Sequence, residues 1–296
     1  MKAKDTAKIE RLHNLATSPD AQLAYGLHLI ETESHPDVVQ AALDVLAATA
    51  DPRARSAIVA AYAVFADGRR RDPGCFARTT LMRALRHVAR QDDVGLVERA
   101  VTTYEFMPPF TGPTGGEVAA GLRSVALVTL NEIDERLAGY HGVRLLVDQY
   151  TSPMSGEPAV TAARVLAAQG HLLPLYARVL HADPGVPEVA GECLRHLTAL
   201  PASLLAPLAE RYLASDDDIV LLGLFDLLLT HEAHASFHNT VLDFLHTTRF
   251  YNLYRYLVNS IIASRRKELV EALVALAGTE QDRVKAEILA EALDLR

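Results

Sequence analysis

Apolar residues recur along the chain with the period of an α-helix. In 36–49, Val39, Ala42, Leu43 and Leu46 stand at i, i+3, i+4 and i+7, and Val38, Ala41 and Val45 add an adjoining strip. The polar positions Asp37, Gln40 and Asp44 form one narrow stripe, so this helix must be covered on more than one side. Ile58, Ala61, Tyr62 and Phe65 repeat the pattern in 51–66, and no period-two alternation persists anywhere. Ser18-Pro19, His35-Pro36, Asp51-Pro52 and Asp183-Pro184 read as an N-cap followed by proline at the first helical position. Together these signals predict seventeen helical segments from 5–17 to 281–294, among them 74–90, 93–106, 116–138 and 141–151.

The first three of those starts fall at residues 18, 35 and 51, which is the footprint of two helices per repeat. A second regularity has a step of 30 residues: Val160, Ala190 and Val220; Ala163, Cys193 and Gly223; Ala167, Leu197 and Leu227. The middle set is uniformly small, as close helix approach at one register requires. The segments His35–Leu43, Asp51 with Arg55, and Glu157–Ala163 resemble HEAT repeats, particularly the short bacterial kind. The resemblance covers about 35–66 and 156–230 and implies an all-α fold: a right-handed, armadillo-type α-solenoid of about eight antiparallel helix pairs, in a single domain over 1–296. Two connections break the rhythm, Asp67–Gly74 and Met107–Gly116.

A net charge of −8 argues against a dedicated nucleic-acid binder and leaves room only for a local basic face. Two cysteines, Cys75 and Cys193, cannot build a disulfide framework or a cysteine-rich metal site. The charged N-terminal stretch has no apolar signal core, and the longest apolar run, Ile219–Leu229, is interrupted by Asp226. A cytoplasmic address and no membrane contact are expected.

Among candidate chemistry, His231, His234 and His238 form the densest potential metal cluster. The segment misses the His-Glu-x-x-His pattern because Ala235 stands where the second histidine should be. The bland alternative makes His231 a helix cap, His234 a turn residue and His238 a solvated one. Arg249–Tyr256 interleaves aromatics with arginine, but Phe250, Leu253, Tyr254, Leu257 and Ile261 share one helical face and read as core. Asp226, set among Leu and Phe, is expected to face a groove or solvent. No Ser/His/Asp or Cys/His arrangement and no phosphate-binding loop is present, so no catalytic residue and no cofactor is expected.

The leading expectation is therefore a non-enzymatic scaffold that binds another protein or peptide, with the contacts on the second helix of each pair and in the long connections. The candidate contact residues are Arg53, Arg69, Arg70, Arg71, Glu98, Arg99, Phe110, Arg144, Arg178, Arg211, Asp243 and Lys267. The alternative is an enzyme on the same scaffold, such as a HEAT-like alkylpurine DNA glycosylase. The acidic balance and the lack of tryptophan count against it.

Overall fold

The computed structural model describes residues 3–48, 52–68, 72–107, 116–180 and 185–294. The chain is all-α. Its described residues contain seventeen α-helices, and their sole β feature is an isolated bridge between Phe106 and Glu117. No helix among them is long and apolar enough to cross a membrane. The chain divides into two compact units, Met1–Gln169 and Gly170–Arg296.

The first unit holds α1 (Ala3–Asn14), α2 (Pro19–Thr32), α3 (Pro36–Ala48), α4 (Arg55–Ala66), α5 (Phe76–Arg86), α6 (Val94–Val101), α7 (Ala120–Ile133), α8 (Glu135–Leu146) and α9 (Ala159–Ala168). The second holds α10 (Leu172–Leu180), α11 (Pro187–Arg195), α12 (Ala202–Tyr212), α13 (Asp218–Thr230), α14 (His238–Thr247), α15 (Tyr251–Ser264), α16 (Lys267–Ala277) and α17 (Arg283–Asp294). Of the predicted proline starts, Pro19 sits in the first turn of α2, where Ser18 makes no side-chain cap bond, and Pro36 opens α3, whereas Pro52 opens a short 3-10 turn ahead of α4. α11 begins at Pro187, which is not among the predicted starts. Asp51, Asp183 and Pro184 lie outside the described residues. Asp217 caps α13 by accepting from the amides of Ile219 and Val220 at 2.9 and 3.2 Å, which satisfies donors that have no partner inside the helix.

The segment predicted as one helix over 116–138 is broken at Asp134. This residue leaves the helical conformation and its carboxylate accepts from the amide of Leu137 at 2.9 Å. The cap sets the corner there, and residues 139 and 140, between the two predicted helices, lie inside α8. Likewise 74–90 shortens to α5, because Gly74 and Cys75 take positive φ values of 78° and 55° and turn the chain before the helix begins. The predicted helix 93–106 stops at Val101.

Within each unit the larger contacts join helices one or two places apart in chain order. The odd-numbered ones lie side by side as α3–α5–α7–α9 and as α11–α13–α15–α17. The α11–α13 pair is the tightest. A methyl group on Gly223 would fall 2.1 Å from the Gly191 carbonyl oxygen, and one on Gly191 would fall 2.6 Å from the carbonyl oxygen of Ile219. The two backbones therefore touch where both residues are glycine. Cys193, from the 30-residue series, is buried in the same helix.

Polar side chains tie even-numbered helices together. Arg55 of α4 donates to both oxygens of Asp93, just before α6, at 2.8 and 2.6 Å. Arg144 of α8 donates to the last carbonyl of α6, Val101, at 2.9 Å. In the second unit, Arg211 and Tyr212 of α12 donate to the Leu180 and Val179 carbonyls that end α10, at 2.9 and 2.6 Å. The ties from Arg144, Arg211 and Tyr212 meet carbonyls with no intrahelical donor, and the two arginines lie at the negative end of the helix dipole.

Two glycine substitutions separate close packing from propensity. Gly223→Ala should lower the unfolding free energy by about 1–3 kcal/mol, because backbone and not a movable side chain obstructs the methyl. Gly121→Ala, whose methyl meets nothing within 4 Å, should raise it by up to about 1 kcal/mol. Urea unfolding of both variants checks the contrast, and equal midpoints would remove the packing argument.

Candidate functional site

The connection from α6 to α7 departs from the rest of the first unit. Beyond Val101 the chain runs out through Tyr104, Glu105 and Phe106 and returns through Glu117 and Val118. The Met107 amide donates to Gly116 O at 3.0 Å and the Val118 amide to Glu105 O at 2.9 Å. Two buried arginines hold the base of this excursion. Arg123 of α7 is 0% exposed; it donates to both oxygens of Glu117 at 2.8 and 2.9 Å and to Thr103 O at 3.0 Å. Its Nε lies 3.4 Å from Asp148, and its guanidinium stacks 4.1 Å from the centre of the Tyr104 ring. Tyr104 donates to Asp148 at 2.9 Å and accepts from Arg144 at 2.9 Å. Burial, followed by the bond to Asp148, raises the phenol's pKa.

Arg78 of α5 makes the second anchor, donating to Asp72 at 3.0 Å and to Glu105 at 2.5 Å. The hydrogen bond from Arg78 holds the Glu105 carboxyl below the usual carboxylate range. Cys75 lies buried 3.2 Å from Arg78, and burial pushes its thiol up to about 12, toward the protonated form. Burial pushes Cys193 up to about 12 as well.

Beside this braced excursion a cleft runs over α5, α7 and the start of α9. One recess of about 600 Å³ is lined by Gly74, Phe76, Thr79, Thr80, Met107 and Val118. A second of about 450 Å³ is lined by Arg86, His87, Ser124, Val125, Val128, Glu157 and Thr161. Arg83 and Gly121 line both recesses and form their junction. The helical period explains the lining: residues 76, 79, 80, 83 and 87 share a face of α5, and 121, 124, 125 and 128 share a face of α7. Ser124 is bound to Ala120 O at 3.0 Å and to Glu157 Oε2 at 2.8 Å, and Arg86 to Glu132 at 2.6 Å. Cations, hydroxyls and apolar side chains alternate here in an arrangement suited to binding an extended chain.

None of the described residues expected from sequence to contact a partner lines this cleft. Arg69, Arg70, Arg71 and Phe110 lie outside the described residues. Arg53 lies 3.4 Å from Asp20, Glu98 3.1 Å from His141 and Lys267 3.7 Å from Glu271. Arg144 and Arg211 are the helix-end ties described above, and Arg178 is half-buried and engaged. Arg99 and Asp243 are exposed on α6 and α14.

His231 ends α13 fully buried, and its Nε2 lies 2.7 Å from Leu200 O. His234 sits in a 3-10 turn, with its ring centre 5.5 Å from that of His238. His238 is not solvated: it stands 3.5 Å from Glu268, with 17% of its side chain exposed. No group of three or more metal-ligating side chains occurs among the described residues.

Asp226 does not simply face solvent. It lies 3.0 Å from Arg195 and accepts from Tyr256 at 2.7 Å, and burial raises its pKa. Of the predicted aromatic stripe, Leu253, Tyr254, Leu257 and Ile261 are buried, whereas Phe250, just ahead of α15, is 36% exposed.

Arg123→Met should cost about 3–5 kcal/mol, since Glu117 and Asp148 would remain buried without a counter-charge. Adding Glu117→Gln and Asp148→Asn should recover part of that loss in urea unfolding. Acid should act on the second anchor. Because the folded carboxyl of Glu105 is depressed, its stabilisation is present above the ordinary value of 4.5 and is lost as pH falls through the folded value. Glu105→Gln should therefore shrink the fall in urea midpoint between about pH 6 and pH 3; an unchanged fall would assign the acid sensitivity to other groups.

No family model matches the chain, and no curated protein matches it.

Proposed function

We propose that this protein is a non-enzymatic interaction module, a HEAT-like α-solenoid of about eight helix pairs that holds a segment of another protein. Helix packing between chain neighbours and next neighbours in each unit supports the repeat architecture. The two free, buried cysteines suit a reducing compartment, and a cytoplasmic address is part of the same reading. One observation carries the functional part: the cleft over α5, α7 and α9, walled by an excursion that two buried arginines hold in place. A braced wall beside an open, mixed-polarity recess suits binding without rearrangement. The cleft's hydroxyl at Ser124 is occupied by Ala120 and Glu157, and the Cys75 thiol is buried and protonated.

Gly121→Arg tests the reading, because the position is exposed and, among the described residues, has open space around it. Affinity purification at mild ionic strength should retain a partner on the parent chain and lose it by about ten-fold or more on the variant, with helical circular dichroism unchanged. Equal recovery on both would put the contact elsewhere. Turnover of a substrate, or excision of an alkylated base from duplex DNA, by the purified chain would overturn the proposal.

A further inference from the structure

We infer that the occupant of this cleft is a short acidic, amphipathic segment of the partner protein. An apolar side chain would seat against Phe76, Met107 and Val118, and carboxylates would lie opposite Arg83 and His87. The inference rests on the interaction reading above and adds the chemistry of the ligand.

Charge is the first argument. The chain carries −8 overall, yet the cleft brings together Arg83, Arg86 and His87 against a single carboxylate, Glu157. Arg86 is answered by Glu132 at 2.6 Å. Glu157 Oε2 is taken up by the Ser124 hydroxyl at 2.8 Å and the Thr161 amide at 3.3 Å. Arg83 is exposed at the junction of the two recesses and has no carboxylate partner among the described residues. Across the junction, Gly121 carries no side chain, and no atom of the described residues stands within 4 Å of where one would begin. An unanswered guanidinium facing an open backbone is complementary to a carboxylate on an approaching chain.

Shape is the second. Phe76 is 77% exposed at the first position of α5. Its ring lies over Gly74, close enough that a methyl there would stand 2.6 Å from it. The positive φ of 78° and the missing side chain at Gly74 let the ring rest on backbone. An exposed aromatic face with Met107 and Val118 in the same recess is a platform for one apolar side chain. The apolar recess and the cationic junction follow each other along α5, so the occupant needs its acid close to its apolar anchor. A polynucleotide fits less well, because phosphate binding needs several cations and this cleft offers one that is unanswered.

The test selects phage-displayed random peptides of about twelve residues on the full chain, then measures labelled copies by fluorescence anisotropy. Enriched peptides should place Asp or Glu within a few residues of Phe, Leu or Tyr. Arg83→Glu should weaken them by about ten-fold or more, and Asp→Asn copies should weaken likewise. Binding indifferent to Arg83→Glu and to the acid, but lost in Gly121→Arg, would overturn the acidic occupant and leave the interaction reading standing. Binding indifferent to both variants would overturn both. A dT oligonucleotide of about twenty residues that binds the parent and not Arg83→Glu would replace the peptide with single-stranded nucleic acid. No enrichment at all would overturn the inference, while a partner lost in Gly121→Arg would still support the interaction reading.

Discussion

A guanidinium with no solvent exposure has to be neutralised where it stands, and the first unit is arranged around that necessity at Arg123. Glu117 reaches it from the excursion, Asp148 from the far end of α8, and Tyr104 lies under its face. These groups come from three stretches of chain, which the bonds of Tyr104 to Asp148 and Arg144 also join. Their shared requirement fixes the return strand at Glu117 and, with it, Val118 and Met107 at the edge of the cleft. The cleft is therefore a consequence of electrostatics behind its wall. Apolar packing alone would have left the long connection free to settle anywhere along α7.

Two kinds of adhesion divide the labour between helices. Odd-numbered helices meet along small and apolar residues, down to backbone contact between Gly191 and Gly223. Even-numbered helices are joined by side chains that end a neighbour's hydrogen-bond ladder: Arg144 at Val101, Arg211 at Leu180, Tyr212 at Val179. Lys285 extends the device, entering from α17 almost fully buried to meet the Leu245 and His246 carbonyls at the end of α14, at 2.8 and 3.0 Å. A cation is well placed there because the helix end is negative and its carbonyls lack donors.

That division explains which features were legible in sequence. Proline starts at Pro19 and Pro36 could be read because proline fixes φ locally and needs no tertiary help. The core stripe of Leu253, Tyr254, Leu257 and Ile261 could be read because burial follows helical period. Asp134 could not: whether an acid within an apolar helix caps a new one depends on where the chain must turn. Arg144 and Arg211 looked like partner contacts because a lone surface arginine and one that ends a distant helix have the same local sequence. Thr79, Thr80, Gly121 and Ser124 carry no chemical signature and acquire meaning only when α5 and α7 lie side by side. Arg123 did leave a trace, a single cation inside an apolar helix with Glu117 just ahead of it. Reading it required knowing that the helix was buried on that side.

The same division bears on where binding belongs. Arginines and acids on even-numbered helices are largely engaged with one another or with carbonyls, as Arg55, Glu98, Arg144 and Arg211 are. Recruiting them to a partner would first mean breaking a contact that holds the fold, and that penalty would be charged against affinity. On the face of α5 the situation is reversed: Arg83 and the ring of Phe76 are exposed, and the positive φ and missing side chain of Gly74 leave room for the ring beside it. A surface whose polar groups are already satisfied has little to offer an incoming chain. One that holds an unanswered charge and an exposed apolar ring can gain from contact without losing structure, and in the first unit that combination falls on the cleft.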